Sequence, residues 1–305
     1  MGIFTKWIES LHYEYEILKT CTRHKSPRST CTKCIDACPR KAISLVNGIP
    51  QINGENCNEC GKCIAACPVQ AVAGIFPKRS VVQNQLIVKN KDVPAGKELL
   101  IYYKKGVRGI ICEEEELCKE WQEAIDEANK ILLELGETPF TVTCRKVNRA
   151  EEKITRRELL TAWKKESKSL LKELTPAKWR FNQNDLDVSK YYPEHQFAEI
   201  VLDPEKCALC KACQALCNKK CFSITSESFA INAHSCTACG LCMDICPEKA
   251  ITVTEKVMLN TPVSHPVYTK VCRICKRNFD TLSEHDEECV ACVKRKKYAE
   301  MYMRH

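Results

Sequence analysis

The chain has 305 residues, 24 cysteines and a formal net charge of +8, long enough for two or three compact units. The cysteines fall in tight clusters with gaps of two or three residues, which suits metal ligation and not a disulfide framework; Met1 to Thr20 lacks the apolar core of a secretory leader, so a reducing cytoplasmic location is expected. No apolar run approaches the roughly 20 residues that span a bilayer, and Arg156-Arg157 lies mid-chain, where it cannot act as a twin-arginine address.

Within residues 1–20, Trp7, Ile8, Leu11 and Leu18 share one side of an amphipathic helix predicted from Phe4 to Leu18, expected to dock on the body of the protein. Residues 21–75 form the first cysteine-rich unit, with Cys31-x2-Cys34-x3-Cys38-Pro39 followed by Cys57-x2-Cys60-x2-Cys63-x3-Cys67-Pro68. Between these runs Ile43, Leu45, Ile49 and Ile52 flank Asn47-Gly48, which predicts two short strands around a tight hairpin turn. Each cysteine run is expected to pass into a short helical turn ending at Ala42-Ile43, Ala71-Val72 or Ala250-Ile251.

Residues 76–150 change character. Gly106 to Ile111, an acidic helix from Glu113 to Leu135 and Phe140 to Thr143 read as strand, helix, strand. The helix carries Leu117, Trp121, Ile125, Ala128, Leu132 and Leu135 at helical spacing, so one face should pack on a small sheet. Cys112, Cys118 and Cys144 are too few for a four-ligand site and read as core or incidental thiols. Residues 151–200 form a helical connector in which Leu160, Trp163, Leu170, Leu171 and Leu174 recur on one face up to Pro176, with a basic face that reads as a solvated linker or a dock for an acidic partner.

Residues 201–256 repeat the first cysteine-rich unit at a fixed offset of 179. Cys31, Cys34, Cys38, Cys57, Cys60, Cys63 and Cys67 fall on Cys210, Cys213, Cys217, Cys236, Cys239, Cys242 and Cys246. Of the motif cysteines in the second copy only Cys207 has no counterpart, falling on Arg28. The runs Cys57 to Pro68 and Cys236 to Pro247 resemble the bacterial two-cluster ferredoxin signature over about 21–75 and 201–256. In that family three closely spaced thiolates hold one 4Fe-4S cluster while the fourth, turned away by the following proline, reaches the neighbouring cluster.

The resemblance implies four clusters: cluster 1 on Cys21, Cys31, Cys34 and Cys67; cluster 2 on Cys38, Cys57, Cys60 and Cys63; cluster 3 on Cys207, Cys210, Cys213 and Cys246; cluster 4 on Cys217, Cys236, Cys239 and Cys242. Cys21 enters because Arg28 supplies no thiol; the alternative is a three-iron 3Fe-4S cluster 1 on the remaining three cysteines. Asn218 follows Cys217 in place of proline, and Cys221, which falls on Ala42, reads as a buried free thiol.

After Pro266, in residues 266–305, Cys272-x2-Cys275-x13-Cys289-x2-Cys292 suits one tetrahedral tetrathiolate site, for zinc in preference to rubredoxin-like iron. His285, with Phe279 and Leu282 before it, offers an alternative with three thiolates and one imidazole. The tail Lys294-Arg-Lys-Lys297 is basic but has no base-reading pattern around it, so nucleic acid is not the expected partner. Four clusters and one zinc carry enough negative charge to bring the net charge to about −2, so the basic excess is largely cofactor compensation.

The expected fold class is α+β: two ferredoxin-like 2x(4Fe-4S) domains separated by a small α/β module and a helical connector, with a C-terminal zinc-ribbon-like module. In layout the α/β module loosely resembles hydrogenase delta-type subunits. The ferredoxin resemblance implies an electron carrier that relays single electrons beside a catalytic subunit of the formate dehydrogenase, hydrogenase or heterodisulfide-reductase kind and an electron donor or acceptor protein. No nucleophile, phosphate loop or dinucleotide fingerprint points to catalysis by the chain itself. A redox-sensing regulator and an iron-sulfur assembly factor are the alternatives.

Overall fold

A computed structural model describes residues 15–74, 79–88, 93–114, 116–145 and 186–302. The connector stripe from Leu160 to Leu174 and most of the predicted first helix lie outside these residues. The chain divides into two compact units, 1–24 with 32–191 and 25–31 with 192–305.

The first unit opens on strand β1 (Glu16–Ile17), so the helix expected to run to Leu18 has given way to extended chain by Glu16. β1 pairs antiparallel with β4 (Val72–Ala73), and Tyr15 and Ile17 pack beside Ile43, Ile64 and Val72. A two-residue strand leaves no periodicity to read, and the helical spacing of the preceding residues hid it. The short helices α1 (Thr22–Lys25), α2 (Lys33–Asp36) and α3 (Lys62–Ala66) follow the cysteine motifs. The last two begin one residue before Cys34 and Cys63 and end before Cys38 and Cys67, earlier than expected, and Ala42-Ile43 and Ala71-Val72 lead into strands. Strands β2 (Ile43–Val46) and β3 (Ile49–Ile52) form the expected hairpin, with Asn47 and Gly48 at φ of 51° and 80°, the pair of positive angles a two-residue primed turn requires.

The α/β module has a four-stranded sheet in the order β5 (Val81–Val82), β6 (Gln85–Ile87), β7 (Gly109–Cys112), β8 (Thr141–Cys144). β5 and β6 form a hairpin, whereas β6, β7 and β8 run parallel through α4 (Gly96–Lys104) and α5 (Lys119–Glu134). Trp121, Ile125, Ala128 and Leu132 of α5 are buried as the stripe predicts, and so are Leu86, Ile110 and Ile111 of the sheet and Leu99 and Leu100 of α4, the helix that α5 packs on. The helix starts at Lys119 and not Glu113, and Cys118 stays extended as its N-cap. It ends in a Schellman motif at Gly136, φ 71°: Glu137 N–H donates to Leu132 O and Gly136 N–H to Leu133 O, at 2.8 and 3.0 Å.

In the second unit β9 (His195–Leu202) pairs antiparallel with β12 (Ile251–Leu259), with an irregularity between Glu255 and Met258. α6 (Ala212–Leu216) and α7 (Leu241–Ile245) again fill the gaps within the cysteine runs, and Ala250-Ile251 leads into a strand. The hairpin β10 (Phe222–Ile224) and β11 (Ser228–Ile231) gains a third strand, β13 (Val263–Pro266). β14 (Tyr268–Val271), β15 (Asn278–Thr281) and α8 (Val290–Tyr302) complete the unit, and Leu282 joins the core of Phe222, Phe229, Ile231 and Ile251. Segment 25–31 belongs to this unit: Thr30 N–H donates to the Asp244 carboxylate at 2.7 Å, and Lys25 Nζ donates to Leu216 O and to the Asn218 side chain.

Candidate iron-sulfur and metal centres

One backbone device recurs at the last cysteine of every run. Lys41, Gln70, Lys220 and Lys249, three residues after Cys38, Cys67, Cys217 and Cys246, all take the left-handed conformation at φ of 50° to 53°. Each donates its N–H to the carbonyl of that cysteine. The reversed turn aims the next N–H at the thiol: Ala42 on Cys38, Ala71 on Cys67, Cys221 on Cys217 and Ala250 on Cys246, at 3.2, 3.1, 3.4 and 3.2 Å. Such donors favour the thiolate and fix where it points. The device forms at Cys217 although Asn218 replaces proline, so the turn rests on the left-handed residue. Sequence reading missed it, since three of these residues are lysines and none is glycine.

The loops that carry the CxxC pairs have their own signature. Glu59 and Gly61, Leu209 and Lys211, and Ala238 and Gly240 flank the second cysteine of each pair with positive φ. Alternating backbone of this kind turns successive N–H groups toward one point, a nest for negative charge. The loop at Cys31 lacks the pair; Thr32 has φ −126°.

Two cysteine sets line cavities. Cys38, Cys57, Cys60 and Cys63 line one together with Tyr15, Ile43 and Ile52. Cys207, Cys210, Cys213 and Cys246 line the other together with Phe229 and Ile251. Burial, then the neighbouring thiolates of Cys60, Cys57, Cys38 and Cys34, pushes the Cys63 thiol up to about 12. Burial does the same at Cys213, also to about 12, with Cys207, Cys210 and Cys246 adding to it. Thiols such as those of Cys63 and Cys213, which resist ionisation alone, need a strongly cationic centre to become thiolates, and four soft sulfur donors lining one cavity suit an iron-sulfur cluster.

Cys217, Cys236, Cys239 and Cys242 are also neighbours: burial, followed by Cys239, Cys236 and Cys217, raises the Cys242 thiol. The remaining set is the least regular. Cys21 is 8% exposed and close enough to Cys67 that its thiolate opposes ionisation there, after the larger effect of burial. Cys34 and Cys67 pack on the core of Ile43, Ile64 and Val72, whereas Cys31 ends the segment grouped with the second unit. Cys221 is 3% exposed, within hydrogen-bonding reach of the Cys217 and Cys236 sulfurs.

In the C-terminal module the sulfurs of Cys272, Cys275, Cys289 and Cys292 all lie within 4.8 Å of one another, with Cys275 and Cys289 at 3.9 Å. Thiolates about 2.3 Å from a tetrahedral zinc stand roughly 3.8 Å apart, so the four fit such an ion. Backbone N–H groups, that of Cys275 foremost and then that of Cys289 at 3.3 Å, bring the Cys272 thiol down to about 6. His285 is exposed and outside this set, so the fold assembles the four-thiol alternative. Cys112 and Cys144 are register partners on β7 and β8, and Cys118 caps α5; among the described residues these three join no group of four.

Two family models match the chain: a 4Fe-4S dicluster domain over residues 28–71 and a 4Fe-4S binding domain over residues 229–252. The first begins after Cys21 and the second covers Cys236 to Cys246. No curated protein matches the chain. Repeat, recurring turns and both family matches agree that the protein is a tandem ferredoxin-domain iron-sulfur protein with an additional four-cysteine cluster near its C-terminal end.

Proposed function

We propose that this protein is an electron-transfer subunit that passes single electrons through four 4Fe-4S clusters within a larger oxidoreductase complex, with zinc on Cys272, Cys275, Cys289 and Cys292. The supporting observation is the turn repeated at Cys38, Cys67, Cys217 and Cys246, which presents one crossing thiol to each of four sites. The clusters supply one-electron storage and release when bound. The chain's own part is to hold sulfur at fixed positions, to direct N–H groups at it, and to keep water out with residues such as Tyr15, Ile43, Phe229 and Ile251.

The ligand sets are those named for clusters 1 to 4, with Cys21 completing cluster 1. In each domain a ligand of one set adjoins the other set, Cys34 near Cys63 and Cys213 near Cys242, the proximity that short electron hops need. Catalysis belongs to a partner subunit of the formate dehydrogenase, hydrogenase or heterodisulfide-reductase type, in a reducing cytoplasmic compartment, and the α/β module is a relay-subunit element of the hydrogenase delta kind. No helix among the described residues is long and apolar enough to cross a membrane.

Anaerobic purification from the native host, with metal analysis and identification of bound subunits, tests this reading. About sixteen iron atoms and one zinc per chain, a visible absorbance bleached reversibly by dithionite, and a co-purifying oxidoreductase are expected. Preparations holding only zinc, with no visible chromophore, would refute it.

A further inference from the structure

The duplication provides an internal control, because cluster 2 and cluster 4 are built on the same frame with different surroundings. At cluster 4 the Cys221 thiol lies within reach of two ligand sulfurs, those of Cys217 and Cys236, where cluster 2 has Ala42. Thr237, between ligands Cys236 and Cys239, has a buried hydroxyl with no protein partner. A buried hydroxyl without an acceptor is costly, and in a loop that carries ligand sulfurs a cluster sulfur is an acceptor that would satisfy it. The equivalent residue at cluster 2 is Asn58. The next position carries Glu59, a carboxylate beside the ligands, where cluster 4 has Ala238.

We infer that Cys221 S–H and Thr237 O–H donate hydrogen bonds to the sulfurs of cluster 4 and give it a higher reduction potential than cluster 2. The inference rests on the four-cluster reading. Donors to sulfur stabilise the added negative charge of the reduced cluster, and the carboxylate of Glu59 opposes that charge at cluster 2, so both differences act in one direction. Of these two clusters, cluster 4 is then the one on which an electron settles.

The test is a mediated redox titration of the anaerobically purified full chain, followed by EPR, with iron and sulfide measured on every sample. Cys221→Ala installs the residue the first domain already carries there, and Thr237→Val keeps the branched shape without the donor. Each should lower one titration step, by about threefold in the reduced-to-oxidised ratio at fixed potential. Together they should reach about tenfold, which is 59 mV for a one-electron couple. Cys221→Ser, which keeps a donor, should restore the step, and Ala42→Cys should raise a different one. Curves that superimpose on the wild type at full iron content would overturn the inference. So would loss of one cluster's iron from Cys221→Ala, since Cys221 would then be a ligand. A wild-type protein without clusters would instead defeat the four-cluster reading itself, an outcome the iron measurement separates from the others.

Discussion

The proposal that Cys21 is the leading thiol of the first domain is supported by strand register as well as by motif spacing. Leu18 N–H donates to Ala71 O just as Asp203 N–H donates to Ala250 O, so Leu18 and Asp203 are equivalent. Cys21 lies three residues beyond Leu18 and Cys207 four beyond Asp203, which places the two thiols one residue apart on the common frame. The extra residues before Cys31 hold α1 and the segment grouped with the second unit, and they account for the lost left-handed pair at Cys31. Cys21→Ala should therefore leave three cluster types intact and convert cluster 1 to a three-iron form, read as loss of about one iron per chain and a new EPR signal in the oxidised protein. A variant with the iron content and spectrum of the wild type would sink the assignment. The ligand positions were open to reading from spacing because each must be a thiol; the turns that aim them were not, because the left-handed residues Lys41, Lys220 and Lys249 carry no compositional mark.

At the scale of elements, legibility followed the strength of local constraint. The Asn47-Gly48 hairpin and the apolar stripe of α5 were readable because one turn type and one face decide them. β1 and the edges of the short helices were not, since pairing with β4 and packing of the cysteine loops decide those. α4 also escaped notice: its buried set includes Glu98, a carboxylate where a stripe should be apolar. That carboxylate meets Arg79 in a two-pronged pair, Nε to Oε1 at 2.8 Å and Nη2 to Oε2 at 3.0 Å, with both side chains nearly sealed from solvent at 5% and 2% exposure. Glu98→Gln strands a buried guanidinium charge and should destabilise the α/β module by about 3 kcal/mol, whereas Glu123→Gln, breaking the exposed pair with Lys119, should cost under about 0.5 kcal/mol. Hydrogen exchange at the Ile110 and Ile111 amides reports both, and equal protection in the two variants would show that the Arg79 pair holds nothing in place.

Across the whole molecule two kinds of cohesion coexist. The α/β module has a continuous apolar core of Leu86, Leu99, Leu100, Ile110, Ile111, Trp121, Ile125 and Leu132, together with an edge-on contact of Tyr103 and Phe140 rings 5.5 Å apart. The first ferredoxin domain has Ile43, Ile64 and Val72 at its centre with Cys63 among them. Its apolar centre is small beside that of the α/β module. We therefore expect thiolate-metal bonds to hold both ferredoxin domains and the module of Cys272 to Cys292 together, so that metal binding and folding are one equilibrium there. Removing iron and zinc from the full chain with acid and a chelator, then returning it to neutral pH, should leave amides of 15–74, 195–259 and 268–292 exchanging freely. Amides of β6, β7, α4 and α5 should keep their protection. Uniform loss of protection would mean that the α/β core depends on its neighbours, and uniform retention would mean that the cysteine-rich domains fold on apolar contacts alone.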